Sequence, residues 1–191
     1  MNAGELPYSA YAAQGKFDVA IDQYQKVATK HPKTLAPLMM TAILFELKKD
    51  PQKANEYYKK ILDLDKNYTP AANNLAWNYA QNGGNLDVAL SLAQNARELN
   101  PGDAGIADTL GWIYFKKGIY QTALGLLKES NEKYQGQNPT VLYHLSLAYE
   151  KNNEKALAQE MVKKALAMNR RFAEADDAKK LAERLQANGA K

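Results

Sequence analysis

An aromatic residue returns at a nearly constant interval along this 191-residue chain. It stands at Tyr11, Phe45, Tyr79, Tyr114 and Tyr149, in steps of 34, 34, 35 and 35. An alanine keeps the same period at Ala20, Ala54, Ala89, Ala123 and Ala158. A third series of small residues, Ala42, Ala76, Gly111 and Ser146, precedes each aromatic from Phe45 onward by three positions. Thr41, Leu75, Leu110 and Leu145 stand directly before these, and Val27, Ile61, Ala96, Ser130 and Ala165 follow each alanine by seven. Self-similarity at such a period marks a chain of stacked supersecondary units, each too small to bury its own apolar face.

The physics of two helices packed side by side accounts for these residue types. Antiparallel helices approach closely only where side chains are small, and an aromatic fills the volume beside the contact. Gly15, Gly84 and Gly118 are read as supplying the turn between the helices. The pattern resembles the tetratricopeptide-repeat family over about residues 5–172. Its best single match is Leu110-Gly111-Trp112-Ile113-Tyr114 with Gly118, Tyr120 and Ala123. Pro32 and Pro101 keep the family's repeat-ending proline, and Lys66 and Arg170 replace it. Further departures are an extra residue at Gly83-Gly84 and a longer loop at Gln135-Gly136-Gln137-Asn138-Pro139.

The resemblance implies an all-α fold, a right-handed superhelical solenoid of antiparallel helix pairs. The reading gives one array over 1–191, with repeats at about 1–34, 35–68, 69–103, 104–138 and 139–172. A capping helix follows at about 173–187, with Leu181 and Leu185 on one face and charged residues elsewhere. Pro7 breaks what should be the first helix and leaves only about 8–14 to form it. An apolar edge would then face water, so the reading favours a fragment of a longer array, or self-association through the uncapped N-terminal edge.

Charge and composition narrow the function classes. The chain is 46% hydrophobic and 24% charged, which suits a folded domain. The net charge is +4 and basic residues alternate with acidic ones, so no basic face points to nucleic acid. No apolar run reaches the roughly 20 residues that span a bilayer. With no cysteine and only His31 and His144, the chain offers no Cys/His pair and no three-histidine zinc site. His31 reads as a solvated helix-end residue and Asp176-Asp177 as a solvated pair. Gly83-Gly84 lacks the Lys-Ser/Thr of a phosphate loop. No catalytic residue, metal or cofactor is expected, and the chain reads as not an enzyme.

In the family the first helix of each pair lines a concave groove. Two positions before each signature aromatic stand Ile43, Trp77, Trp112 and Leu147. Asn73 shares a face with Trp77, and Asp108 with Trp112, each four residues apart. Met39, Asn74, Thr109, Phe115, Lys116, Tyr143 and His144 fall on or near the same wall. The two tryptophans read either as anchors for an extended peptide or helix, or as packing between neighbouring first helices. Only Asn73 and Asn74 suit a carboxylate clamp, with no Lys/Arg pair beside them, so an apolar or aromatic peptide or a partner protein is the expected ligand.

The segments Asn73-Asn74-Leu75-Ala76-Trp77 and Asp108-Thr109-Leu110-Gly111-Trp112-Ile113-Tyr114 are similar to bacterial arrays of exopolysaccharide and export systems. They are similar in particular to repeat-rich lipoproteins associated with PEP-CTERM sorting. That likeness implies a scaffold of the cell envelope, with the periplasm slightly favoured over the cytoplasm. Competing readings are a self-assembling structural protein, a polysaccharide-binding groove and the accessory domain of an enzyme.

Overall fold

The computed structural model describes residues 11, 12, 14–168 and 172–187. Pro7 and the short helix expected at about 8–14 lie mostly outside them. The described residues form ten helices and no strand. These are α1 (Phe17–Lys30), α2 (Leu35–Leu47), α3 (Pro51–Leu64), α4 (Thr69–Gln81) and α5 (Leu86–Leu99), then α6 (Ala104–Lys116), α7 (Tyr120–Lys133), α8 (Pro139–Lys151), α9 (Lys155–Ala167) and α10 (Ala175–Ala187). They fall into two compact units, Met1–Asn85 and Leu86–Lys191.

Helix starts follow from local chemistry. The Asp50 side chain accepts the backbone N–H of Lys53, and Pro51 opens α3 with its fixed φ. Asp103 caps α6 through Ile106 N–H, and Asn138 caps α8 through Thr140 and Val141 ahead of Pro139. The turns inside the pairs use a left-handed residue at Gly15, Lys49, Gly83, Gly118 and Asn153. Gly84 therefore does not supply the positive φ that the sequence reading gave it; Gly83 does, at φ 71°. Gly84 is small for another reason. A Cβ there would lie 2.9 Å from the Cα of Tyr79, because the inserted residue folds the turn back against α4.

In the first unit α2 packs on α1 and α3, and α4 packs on α3. In the second, each helix from α5 to α10 packs on the next, and α6 also reaches α8. The alanines at 20, 54, 89, 123 and 158 are fully buried, as are Ala42, Ala76 and Ser146. Gly111 shows why this position must be small, since a Cβ would stand 2.9 Å from Leu127 Cγ. Around these contacts the second unit buries Leu127, Leu142, Leu145 and Val162, each worth about 1.5–3 kcal/mol relative to exposure. Helix α10 closes that core with Ala178, Leu181 and Leu185 and turns Asp176, Asp177, Lys179 and Lys180 outward.

Candidate functional site on the first-helix face

In the first unit this face is carried by α2 and α4. Met39 and Ile43 are half-buried on α2, and Leu47, one further turn along, is 56% exposed. Asn73, Asn74 and Trp77 are half-buried on α4. Beneath them lies a polar network that joins three helices. The amide of Asn74 donates to the hydroxyl of the fully buried Tyr58 at 3.1 Å. Asn78 donates to Glu46 Oε1 at 3.1 Å and to Asn55 Oδ1 at 2.9 Å. Burial raises the pKa of Glu46 against hydrogen bonds from Tyr58 and Asn78, which lower it. Burial also raises the Tyr58 hydroxyl, and the nearby Glu46 charge adds to that. Beside the network, a cleft of about 330 Å³ is lined by Glu46, Lys49, Pro51, Trp77, Asn78 and their neighbours Gln81 and Asn82.

In the second unit the face belongs to α6 and α8, and much of it is consumed by packing. Trp112 is 5% exposed and His144 is fully buried; their rings stack at 4.2 Å and 19°. His144 Nδ1 lies 2.9 Å from Asp108 Oδ1, which joins α8 to α6. Thr109 and Tyr143 are buried as well. The sequence reading put Asp108, Thr109, Trp112, Tyr143 and His144 on or near the groove wall and left packing open for Trp112; Asp108, Trp112 and His144 meet in the contact between α6 and α8, and Thr109 and Tyr143 are buried. The reason is the bulk at 144: an imidazole placed across from Trp112 covers the indole face. Phe115 and Leu147 stay half-buried and Lys116 exposed. Phe115 stacks on Trp112 at 5.1 Å and 4°, and the Lys116 ammonium sits 4.9 Å from the indole centroid.

Sequence reasoning passed over several of these residues. Glu46, Asn55 and Tyr58 carry no signature of their own and meet Asn74 and Asn78 only through packing. Lys151 was legible, since it occupies the repeat position of Lys116, 35 residues on. Its ammonium lies 5.7 Å from the Tyr120 ring, which in turn meets Phe115 at 5.4 Å.

The second helices contribute clefts rather than chemistry. A cleft of about 610 Å³ lies beside Ala28, Lys60 and Leu38, and one of about 480 Å³ beside Asn131, Lys164 and Leu142. At the same repeat positions Arg97 and Glu129 face each other with two 2.7 Å hydrogen bonds and occupy the space. Lys133 and then Arg97 hold the Glu129 carboxyl below the usual range. His31 is exposed at the end of α1. Asp176 and Asp177 are exposed and paired with Lys179 and Lys180. Among the described residues no cluster of three or more His, Cys, Asp or Glu could hold a metal, and no helix is long and apolar enough to cross a membrane.

The periodic helix pairs and their small-residue contacts have counterparts among known proteins. Tetratricopeptide repeat families match residues 9–69 and 139–172. Those two stretches carry tetratricopeptide repeats. A TPR repeat-containing protein of Pseudomonas aeruginosa, PA4667, is 24% identical over 110 residues, which are 58% of this chain and 19% of that protein. The chain thus spans about a fifth of the length of that relative. The crystal structure of MamA matches at a TM-score of 0.69 and 24% identity, covering 94% of this chain and 98% of that one. A chain of the APC/C hetero-tetramer Cut9–Hcn1 matches at a TM-score of 0.78 and 22% identity, over 93% of this chain and 35% of that one. At these identities the likeness to solved structures carries the fold alone. The tetratricopeptide fold is one of protein–protein interaction scaffolds, and its members are generally non-catalytic.

Proposed function

We propose that this protein is a non-catalytic scaffold that holds a peptide or a segment of a partner protein on its first-helix face. One observation carries the reading. Packing leaves large apolar side chains partly open on that face: Met39, Ile43, Leu47 and Trp77 in one unit, Phe115 and Leu147 in the other. Partly exposed aromatics set among polar neighbours are the residues from which binding hot spots are built. The test is selection from a random-peptide display library, followed by titration of the recovered peptides. Ile43→Ser and Trp77→Ala should weaken peptides held by the first unit about tenfold or more, and Phe115→Ala those held by the second, whereas the exposed control Gln121→Ala should not. Recovered peptides that ignore all three substitutions would remove the face from consideration.

A second reading, a saccharide-binding groove, draws on the Trp77 cleft, where an indole lies among a carboxylate and amides. Polysaccharide binding that vanishes in Trp77→Ala would support it, and indifference to sugars would end it. We further propose a cell-envelope setting, supported by the segments around Trp77 and Trp112; fractionation of the source bacterium tests it. Self-association through the N-terminal edge concerns residues outside the described ones, and sedimentation across a concentration series decides it.

A further inference from the structure

We infer that the α6–α8 face selects an acidic segment of a partner protein, with an aromatic or aliphatic side chain set between carboxylates. This rests on the scaffold reading above and adds the chemistry of the partner. Lys117, at the end of α6, is paired with Asp87. Glu150, at the end of α8, is held by Arg184 through both carboxylate oxygens. Asp108 is buried against His144. What remains on this stretch are Lys116 and Lys151, both exposed, with no carboxylate within ion-pair distance among the described residues.

Aromatic rings hold these two lysines in place without cancelling their charge. Lys116 stands over Trp112 and Lys151 over Tyr120, and Phe115 touches both rings, so one aromatic chain joins the two ammoniums. A cation over a ring face keeps its stem ordered, yet keeps its N–H donors for an incoming acceptor. Phe115, which meets both rings, and Leu147 on α8 offer half-buried apolar surface on this face. An extended chain advances about 3.3 Å per residue with alternating faces. Acidic side chains two positions before and after an apolar one share its face, so they can meet cation, apolar surface and cation in order. The first unit presents nothing equivalent, since Leu47 and Gln81 occupy the positions of Lys116 and Lys151.

The experiment uses the whole chain and fluorescein-labelled peptides whose central Phe is flanked by two Glu on each side, with Gln and Lys versions as comparisons. Fluorescence anisotropy should show the Glu probe bound at least tenfold more tightly than the Gln probe, and the Lys probe weakest. Raising the salt from about 50 to about 500 mM should erase most of that preference by screening. In the double variant Lys116→Gln, Lys151→Gln the preference should fall to within twofold, with helical circular dichroism and melting unchanged. In Lys116→Glu, Lys151→Glu it should reverse toward the Lys probe. Equal binding of the Glu and Gln probes would overturn the inference while leaving the peptide scaffold standing. No binding of any probe up to about 1 mM, or binding of heparin but not of the Glu peptide, would also overturn it. A preference that survives both double variants would do the same.

Discussion

Trp77 and Trp112 occupy the same position in successive repeats, one in each unit, and the structure gives them different work. Trp112 stacks against both His144 and Phe115 and is 5% exposed. Trp77 lines an open cleft whose other walls are Glu46, Lys49 and amide side chains. The indoles are identical and so is their place in the helix; Trp112 carries an imidazole stacked on it from α8 of its own unit. Repeat position alone therefore decides which way a side chain leaves its helix, and the partner side chain decides whether it is core or surface.

Removing each ring is the strongest way to break that comparison. Trp112→Ala should cost about 3–5 kcal/mol in urea unfolding, the range for emptying a packed aromatic site. Trp77→Ala should cost less than half of that. Fluorescence gives an independent check through Trp77→Phe and Trp112→Phe, each of which leaves one indole. The protein retaining Trp112 should emit further to the blue and resist acrylamide quenching more. Equal costs and equal quenching would mean that the two sites are alike.

The next effect concerns the polar partners of each ring. A double-mutant cycle of Asp108→Ala and His144→Ala should show coupling of about 1–3 kcal/mol, because either single change strands a buried partner. Asn78→Ala in the first unit removes donors to Glu46 and Asn55 at a more open site, and should cost about 1 kcal/mol. Coupling near zero at Asp108–His144 would remove the idea that this pair pins α8 to α6.

The smallest effect is a slope against pH. Burial raises Glu46 above the ordinary carboxyl value of 4.5. The folded protein therefore binds that proton more tightly than the unfolded chain. This contribution is full below the unfolded pKa and is lost as the pH rises through the folded one. Glu46→Gln keeps an acceptor for Asn78 and removes the charge. Stability measured across the mildly acidic range should decline with rising pH more steeply in the wild type than in this variant. Parallel curves would place Glu46 in water rather than in the network.

The repeat was legible because its signature is written in residue size. Ala20, Ala54, Ala89, Ala123 and Ala158 are fully buried where two helices meet, and a larger side chain there would overlap its neighbour. Gly111 announces the same contact. The turns were less legible. Lys49 and Asn153 adopt the left-handed conformation that Gly15 and Gly118 adopt at the same place. A glycine search passes over the first two, and it picks Gly84 where Gly83 turns. The face was legible as a list of positions and not as a surface. Asp108, Trp112 and His144 point inward from the helices that the period assigned to them.

The amino-acid sequence by itself determined the helical-pair repeat, its register, the small-residue contacts and the family, since each follows from size and apolar pattern within about 35 residues. Only the tertiary structure decided which face residues stay open, that Glu46, Tyr58 and Asn78 share one network, and that Lys116 and Lys151 meet no carboxylate within ion-pair distance among the described residues. The physical reason is separation along the chain. The longest-range bonds that settle these questions join residues 32 or 36 positions apart, as in Glu46–Asn78 and Asp108–His144. Which partner waits across such a gap is set by packing between repeats, and no local pattern records it.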